Sequence, residues 1–186
     1  MRWRNTTQCY GWMSILLHWS MAVLIIGLFG LGKYMLTLDY YHPLYLRLPE
    51  LHRGTGMLVG GLLILRLLWR VANPLPRIPG DPWERPLALL VHRLFYALLF
   101  AIVISGYLIS TADGHPLSVF GWFEIPAIVT AENLEDRAGD VHYFLTWLLA
   151  FMLLLHVSGA LKHHFIDKDL TLTRMLGLAP GQRKKS

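Results

Sequence analysis

The chain has 186 residues, 54% of them apolar and 16% charged, with a formal net charge of +5. A composition this apolar, with positive mean hydropathy, excludes an ordinary soluble domain. The length suits several membrane spans joined by short loops and leaves no room for a separate soluble domain.

In chain order, Cys9 comes first and has no partner for an intrachain disulfide, so the redox compartment cannot be read from it. The first apolar segment, 15–38, is too long for a signal-peptide core and is followed by no small-x-small cleavage site. It reads as a retained helix with His18 near its start. A short loop with Tyr40, Tyr41 and Tyr45 leads to a second span, 51–71, opening with His52. Residues 73–86 hold five of the ten prolines and read as a tight connection. The third span, 87–111, has His92 near its start. Residues 112–140, with Pro116, Phe120, Trp122, Phe123 and Pro126, read as an aromatic cap at the membrane interface. The fourth span, 141–164, carries His142 and His156. In the tail, 165–186, Leu170, Leu172, Met175 and Leu176 among polar residues predict a short surface helix ending at Gly177 or Pro180. The expected fold is all-α: one integral-membrane four-helix bundle spanning 1–186.

Four spans put both termini and the middle loop on one side. That side carries thirteen basic residues (Arg2, Arg4, Arg66, Arg70, Arg77, Arg85, Arg93, Lys162, Lys168, Arg174, Arg183, Lys184, Lys185) against four (Lys33, Arg47, Arg53, Arg137) on the other. The positive-inside rule then places both termini in the cytoplasm. Topology and anionic lipid account for the net positive charge. Because the cations are split among separate membrane-flanking pieces, no nucleic-acid partner is expected.

His142 and His156 lie fourteen residues apart, which on a helix returns to within about 40° of the same azimuth after a rise of roughly 21 Å. One helix can therefore offer a ligand to each of two metal centres stacked across the bilayer. By depth, His52 falls with His142 in an outer layer and His18 with His156 in an inner one, with His92 a third inner candidate. Histidines at membrane depth usually mark function. Zinc would want three or four clustered ligands, often with Cys, Asp or Glu, whereas each layer offers paired imidazoles and the acids lie in loops. Opposed imidazoles around a large flat apolar group describe bis-histidine haem b; without Cys-x-x-Cys-His, covalent c-type attachment is excluded.

Glycines could clear space for a porphyrin edge: Gly56 and Gly60 follow His52 on one stripe, Gly32 lies fourteen residues after His18, and Gly106 fourteen after His92. Gly56-x-x-x-Gly60 is equally an ordinary helix-packing pattern. Arg66, Arg70 and Arg93 near the inner layer, and Arg53 or Lys33 near the outer, could pair with haem propionates; for Arg70 and Lys33, orientation and snorkelling are the favoured reading.

Several short stretches, taken in order, resemble the bacterial cytochrome b561 proteins, four-helix dihaem membrane cytochromes. They are Ile15-Leu16-Leu17-His18-Trp19, Leu51-His52-Arg53, Arg66-Leu67-Leu68-Trp69-Arg70, Val91-His92-Arg93-Leu94-Phe95-Tyr96, Gly106-Tyr107-Leu108-Ile109-Ser110, Val119-Phe120-Gly121-Trp122-Phe123, Asp140-Val141-His142, and His156 through Ala160-Leu161-Lys162-His163-His164-Phe165. The resemblance implies two b haems, ligated by His18 with His156 and His52 with His142, on an electron route to a quinone such as ubiquinone. His163 or His164 is then the candidate to hydrogen-bond a quinone carbonyl and relay its proton. The family includes a superoxide oxidase. The outer segments here, however, carry Asp39, Glu50, Asp113, Glu124, Glu132, Glu135, Asp136 and Asp140 against four basic residues, a balance ill-suited to anion capture. The expected function is one-electron relay across the membrane between a periplasmic redox partner and a quinone. A haem-bearing anchor subunit of a larger redox enzyme and a histidine-lined metal or proton transporter are the alternatives; the transporter predicts intramembrane carboxylates that the spans almost entirely lack.

Overall fold

The computed structural model describes residues 2–77 and 83–178. Part of the proline-rich connection, with Pro79 and Pro82, lies outside them, as do Pro180 and the basic residues Arg183, Lys184 and Lys185. Four long helices dominate: α1 (Trp12–Met35), α2 (Arg47–Val71), α3 (Glu84–Thr111) and α4 (Leu134–Phe165). Each contains an apolar window long enough to cross a membrane. Each starts before the apolar run read from the sequence, and α1 ends at Met35, short of the expected 38. α2 takes Pro49 into its first turn, where the missing N–H costs nothing. α4 starts seven residues before its apolar run, with Glu135 and Asp136 in its first turn and Lys162, His163 and His164 in its last, each sign matching the helix dipole.

Packing runs α1 to α2 to α3 to α4, while α1 and α4 approach less closely. They meet through long side chains: Phe29 and Trp147 stand edge to face at 5.5 Å, and the Lys33 ammonium lies 4.7 Å over Trp147 and 4.8 Å over Tyr143. The core is a thin central band of Met21, Val59, Leu63, Leu98, Leu99 and Leu149. Outward-facing apolar side chains such as Val23, Ile26, Phe151 and Leu154 remain exposed along the spans, as a lipid-facing surface requires.

At one end, here the terminal end, the N-terminal segment, the α2–α3 connection and the tail pack together. Asn5 Nδ2 donates to the Pro74 carbonyl at 3.2 Å, and the Arg77 N–H donates to Thr7 at 2.9 Å. A short helix α5 (Thr171–Met175) docks there, receiving the Trp19 indole N–H on the Met175 carbonyl at 2.9 Å. Its Arg174 donates to the Arg77 carbonyl at 2.9 Å. The chain leaves α5 through Gly177 at φ 72°, a left-handed stop that suits glycine. Burial pushes the nearby Tyr10 phenol up, against the opposing pull of Arg70, Arg66 and Arg174, so it stays neutral.

At the other end, the hairpin end, two three-residue strands interrupt the helical chain: β1 (Leu117–Val119) pairs antiparallel with β2 (Phe123–Ile125), Leu117 opposite Ile125. Strands this short carry no period-two signal, so the sequence reading shows only an aromatic cap. The turn places both Phe120 (φ 53°) and Gly121 (φ 72°) in the left-handed region, closed by Trp122 N–H on the Val119 carbonyl at 2.9 Å. Phe120 packs against α2: a Cβ at Gly54 would meet its ring at 2.7 Å.

Candidate metal centres

Near the hairpin end, α2 and α4 bring His52 and His142 together, ring centroids 6.3 Å apart and planes steeply inclined at 72°. Both rings are half-buried. His142 Nδ1 lies 3.0 Å from the Ile102 carbonyl of α3 and 3.0 Å from Ser105 Oγ. The carbonyl can only accept, which makes Nδ1 the protonated nitrogen and leaves Nε2 as an acceptor or ligand. His52 Nδ1 is buried without a hydrogen-bond partner. Glycines set both ring positions. A Cβ at Gly32 of α1 would meet His52 Cε1 at 3.2 Å, and one at Gly106 of α3 would meet His142 Cε1 at 3.2 Å. These two glycines therefore make room for imidazoles, where the sequence reading expects clearance for a porphyrin edge. A Cβ at Gly60 would likewise meet Val103 of α3 at 3.0 Å, whereas one at Gly56 would meet nothing within 4 Å.

Near the terminal end, α1 and α4 oppose His18 and His156 at 6.4 Å and 67°. His92 of α3 stands 5.8 Å from His156 and Phe95 5.3 Å from it, so three imidazoles border one cavity with Met21, Leu63, Leu99 and Leu153. The His92 Nδ1–H donates to the Ala88 carbonyl at 2.6 Å. Arg66, on the wall of the same cavity, donates from Nη2 to His18 Nδ1 at 3.0 Å. His18 thus meets a donor where His142 and His92 meet acceptors.

The two inter-ring distances, 6.3 Å and 6.4 Å, fit one metal ion between each pair. Half the separation is about 3 Å; subtracting roughly 1 Å from ring centre to nitrogen leaves about 2 Å, the usual metal–imidazole bond. The apolar cavity wall beside the His18–His156 pair, with a guanidinium at its edge, also suits a flat apolar group bearing carboxylates.

A family model described as prokaryotic cytochrome b561 matches residues 9–178. The chain belongs to the prokaryotic cytochrome b561 family. It is 48% identical to Cytochrome b561 homolog 2 of Escherichia coli (strain K12) over 95% of this chain and 96% of that protein. It is 25% identical to Cytochrome b561 homolog 1 of the same organism, over 88% and 94% of the two chains. Its identity to the Probable superoxide oxidase CybB of Yersinia pestis is 28%, over 90% and 95%. Membership makes this cytochrome b561 a membrane haem protein of electron transfer with b-type haem as cofactor, and its four apolar helices fit the bacterial inner membrane.

The remaining expected residues of this cytochrome b561 are placed unevenly. Arg53 and Arg93 are exposed and stand apart from the cavity that Arg66 borders. His164 packs edge-on against Phe165 at 4.7 Å. His163 lies in a polar cluster at the end of α4, its Nδ1 3.0 Å from carboxylate oxygens of both Asp167 and Asp169. The sequence reading missed this cluster because its members come from two places: Glu84 opens α3, while the aspartates follow α4. The ligand atoms of Glu84, His163 and Asp167 lie within 4.8 Å of one another, a spacing open to a cation. Lys162 already supplies that charge, its Nζ 2.7 Å from Glu84 and 2.8 Å from Asp167.

Proposed function

We propose that this cytochrome b561 carries two b haems, one held by His52 and His142 and the other by His18 and His156, and relays single electrons across the inner membrane to or from a quinone. Each haem supplies a reversible one-electron couple. The chain's own residues fix the rest. His52 with His142 and His18 with His156 would each hold one such group through both imidazoles, which suits electron relay rather than oxygen chemistry. Ile102 and Ser105 orient His142, and Arg66 is the cation placed for a haem carboxylate at the terminal end. For His18 to bind through Nε2 with Nδ1 as donor, its contact with Arg66 gives way, which frees the guanidinium for that carboxylate. Arg53 and Arg93, at the surface, serve haem carboxylates only from outside the cavity, and His92 contributes a third wall beside His156.

The observation that carries this reading is the pair of matched spacings, 6.3 Å and 6.4 Å, sharing one helix. Fourteen residues separate the two ligands on α4, a rise of roughly 21 Å. The quinone, ubiquinone in the simplest case, sits at the terminal end with His163 or His164 on a carbonyl. Both termini lie in the cytoplasm, so the hairpin end meets a periplasmic redox partner. The acidic loops there favour a neutral or cationic partner over an anion such as superoxide.

Haem content tests the assignment. Wild-type protein is expected to show a b-type α band and two haems per chain, falling to one in His52→Ala or His142→Ala and to one, spectrally distinct, in His18→Ala or His156→Ala. One haem per wild-type chain, or full content in these variants, overturns it.

A further inference from the structure

The cluster at the end of α4 has an asymmetry that electron transfer alone does not use. Asp167 Oδ2, 3.0 Å from His163 Nδ1, also takes the Lys162 ammonium at 2.8 Å, so its charge is already balanced by a full cation. Asp169 is held differently. Its Oδ1 accepts the Thr171 backbone N–H at 2.7 Å, while its Oδ2 is buried 3.0 Å from His163 Nδ1 with no aligned hydrogen-bond donor. The His163 Nδ1 is buried too. The backbone sets this contact: Lys168 takes φ 54°, and the Asp169 N–H donates to the His163 carbonyl at 3.0 Å, folding the carboxylate back over the imidazole. A carboxylate 3.0 Å from Nδ1 leaves Nε2 for a second partner and sets a proton acceptor behind the ring, which a small rotation of either side chain would align.

We infer that Asp169 is the proton-relay partner of His163 in quinone chemistry, a role that rests on the quinone reading above. Reducing a quinone to its quinol takes two electrons and two protons. The electrons arrive singly by way of the haem couples from the one-electron donor. One proton leaves His163 Nε2 as an O–H bond forms on the quinone, and the imidazole regains one at Nδ1 from water by way of the Asp169 carboxylate. The second proton comes from water directly. Quinol oxidation runs the same transfers in reverse. The charged groups set around His163 are Glu84 from α3, Lys162 on α4, and Asp167 and Asp169 after it. Arg174 of α5 is turned to the Arg77 carbonyl.

The test uses full-length, haem-loaded protein reduced with limiting dithionite and mixed in stopped flow with a short-chain ubiquinone analogue over a range of pH. Asp169→Asn is expected to slow haem reoxidation ~10-fold or more and to flatten its pH dependence. The α band and the affinity for the analogue should be unchanged, and Asp169→Glu should restore both rate and pH profile. Asp167→Asn should slow it less. A wild-type rate and pH profile in Asp169→Asn, or a loss that Asp169→Glu does not restore, overturns the relay. Should Asp169→Asn fail to retain haem, the wild-type protein carries the test: reoxidation slower in D2O supports the relay, and equal rates overturn it. His163→Phe, beside wild type, separates the two readings. If the variant is reoxidised as fast as wild type, or is slow while Asp169→Asn is normal, only the relay fails and the carbonyl in the first case falls to His164; if the analogue does not reoxidise the wild-type haem at all, the quinone reading fails.

Discussion

At Gly32 and Gly106, the absence of a Cβ lets two imidazoles approach neighbouring helices. Alanine at either would need His52 or His142 to retreat from a 3.2 Å contact, and rings clamped between helices retreat only by tilting. If each imidazole pair holds a haem as proposed, Gly32→Ala and Gly106→Ala are expected to lower haem content at the hairpin-end site while leaving the terminal-end haem in place, as read by haem quantitation and the split α band. Gly56→Ala makes the contrasting case. Its Cβ meets nothing, so circular dichroism of the haem-free chain should be unchanged; one turn beyond His52, it should still reduce haem retention by intruding on the space beside the ring. The fourteen-residue offsets that singled out Gly32 and Gly106 were legible in the sequence; what each glycine faces was not. An offset fixes an azimuth on one helix, and the neighbour that fills it comes from another. The same limit hid the Arg66–His18 contact, 48 residues apart, and the return of Asp169 onto His163, which depends on a left-handed Lys168 that no local signal demands.

Helix boundaries show where hydropathy stops being informative. The apolar run locates the membrane-crossing part of α4, but the helix itself begins at Leu134, because acidic residues are welcome in a first turn and water does not end a helix. The hairpin was the least legible element. Its turn puts a phenylalanine at positive φ, a conformation that bulky residues avoid, and the compensation is tertiary: Phe120 seats on the bare backbone at Gly54. A side chain there is expected to unseat the hairpin at a cost of about 1–3 kcal/mol. Gly54→Val should accordingly speed limited proteolysis within 112–133, with α1 and the terminal-end cavity unaffected. Wild-type cleavage rates in that variant would show that Tyr107, which donates to the Pro126 carbonyl at 2.7 Å, holds the cap by itself.

For the whole molecule, hydropathy and the count of basic residues were enough to predict four spans and a sidedness, since both depend on composition along the chain and not on packing. Reporter fusions check the sidedness: a C-terminal fluorescent protein that matures only in the cytoplasm should glow, and a C-terminal phosphatase that folds only in the periplasm should be inactive. The reverse result would exchange the two ends and put the quinone on the periplasmic face. What composition does not show is that the bundle is closed unevenly, with α1 and α4 joined by Phe29, Lys33, Tyr143 and Trp147 more than by close backbone packing.

Because α4 supplies one member to each imidazole pair, it works as a ruler that cannot be recut. Inserting a single residue between His142 and His156 would swing one ring about 100° away from its partner while the other stayed seated. Adding a whole heptad would nearly restore the angle, yet push the two centres roughly 10 Å further apart, beyond the reach of His18 on α1 or His52 on α2. The stretch from His142 to His156 has one workable length.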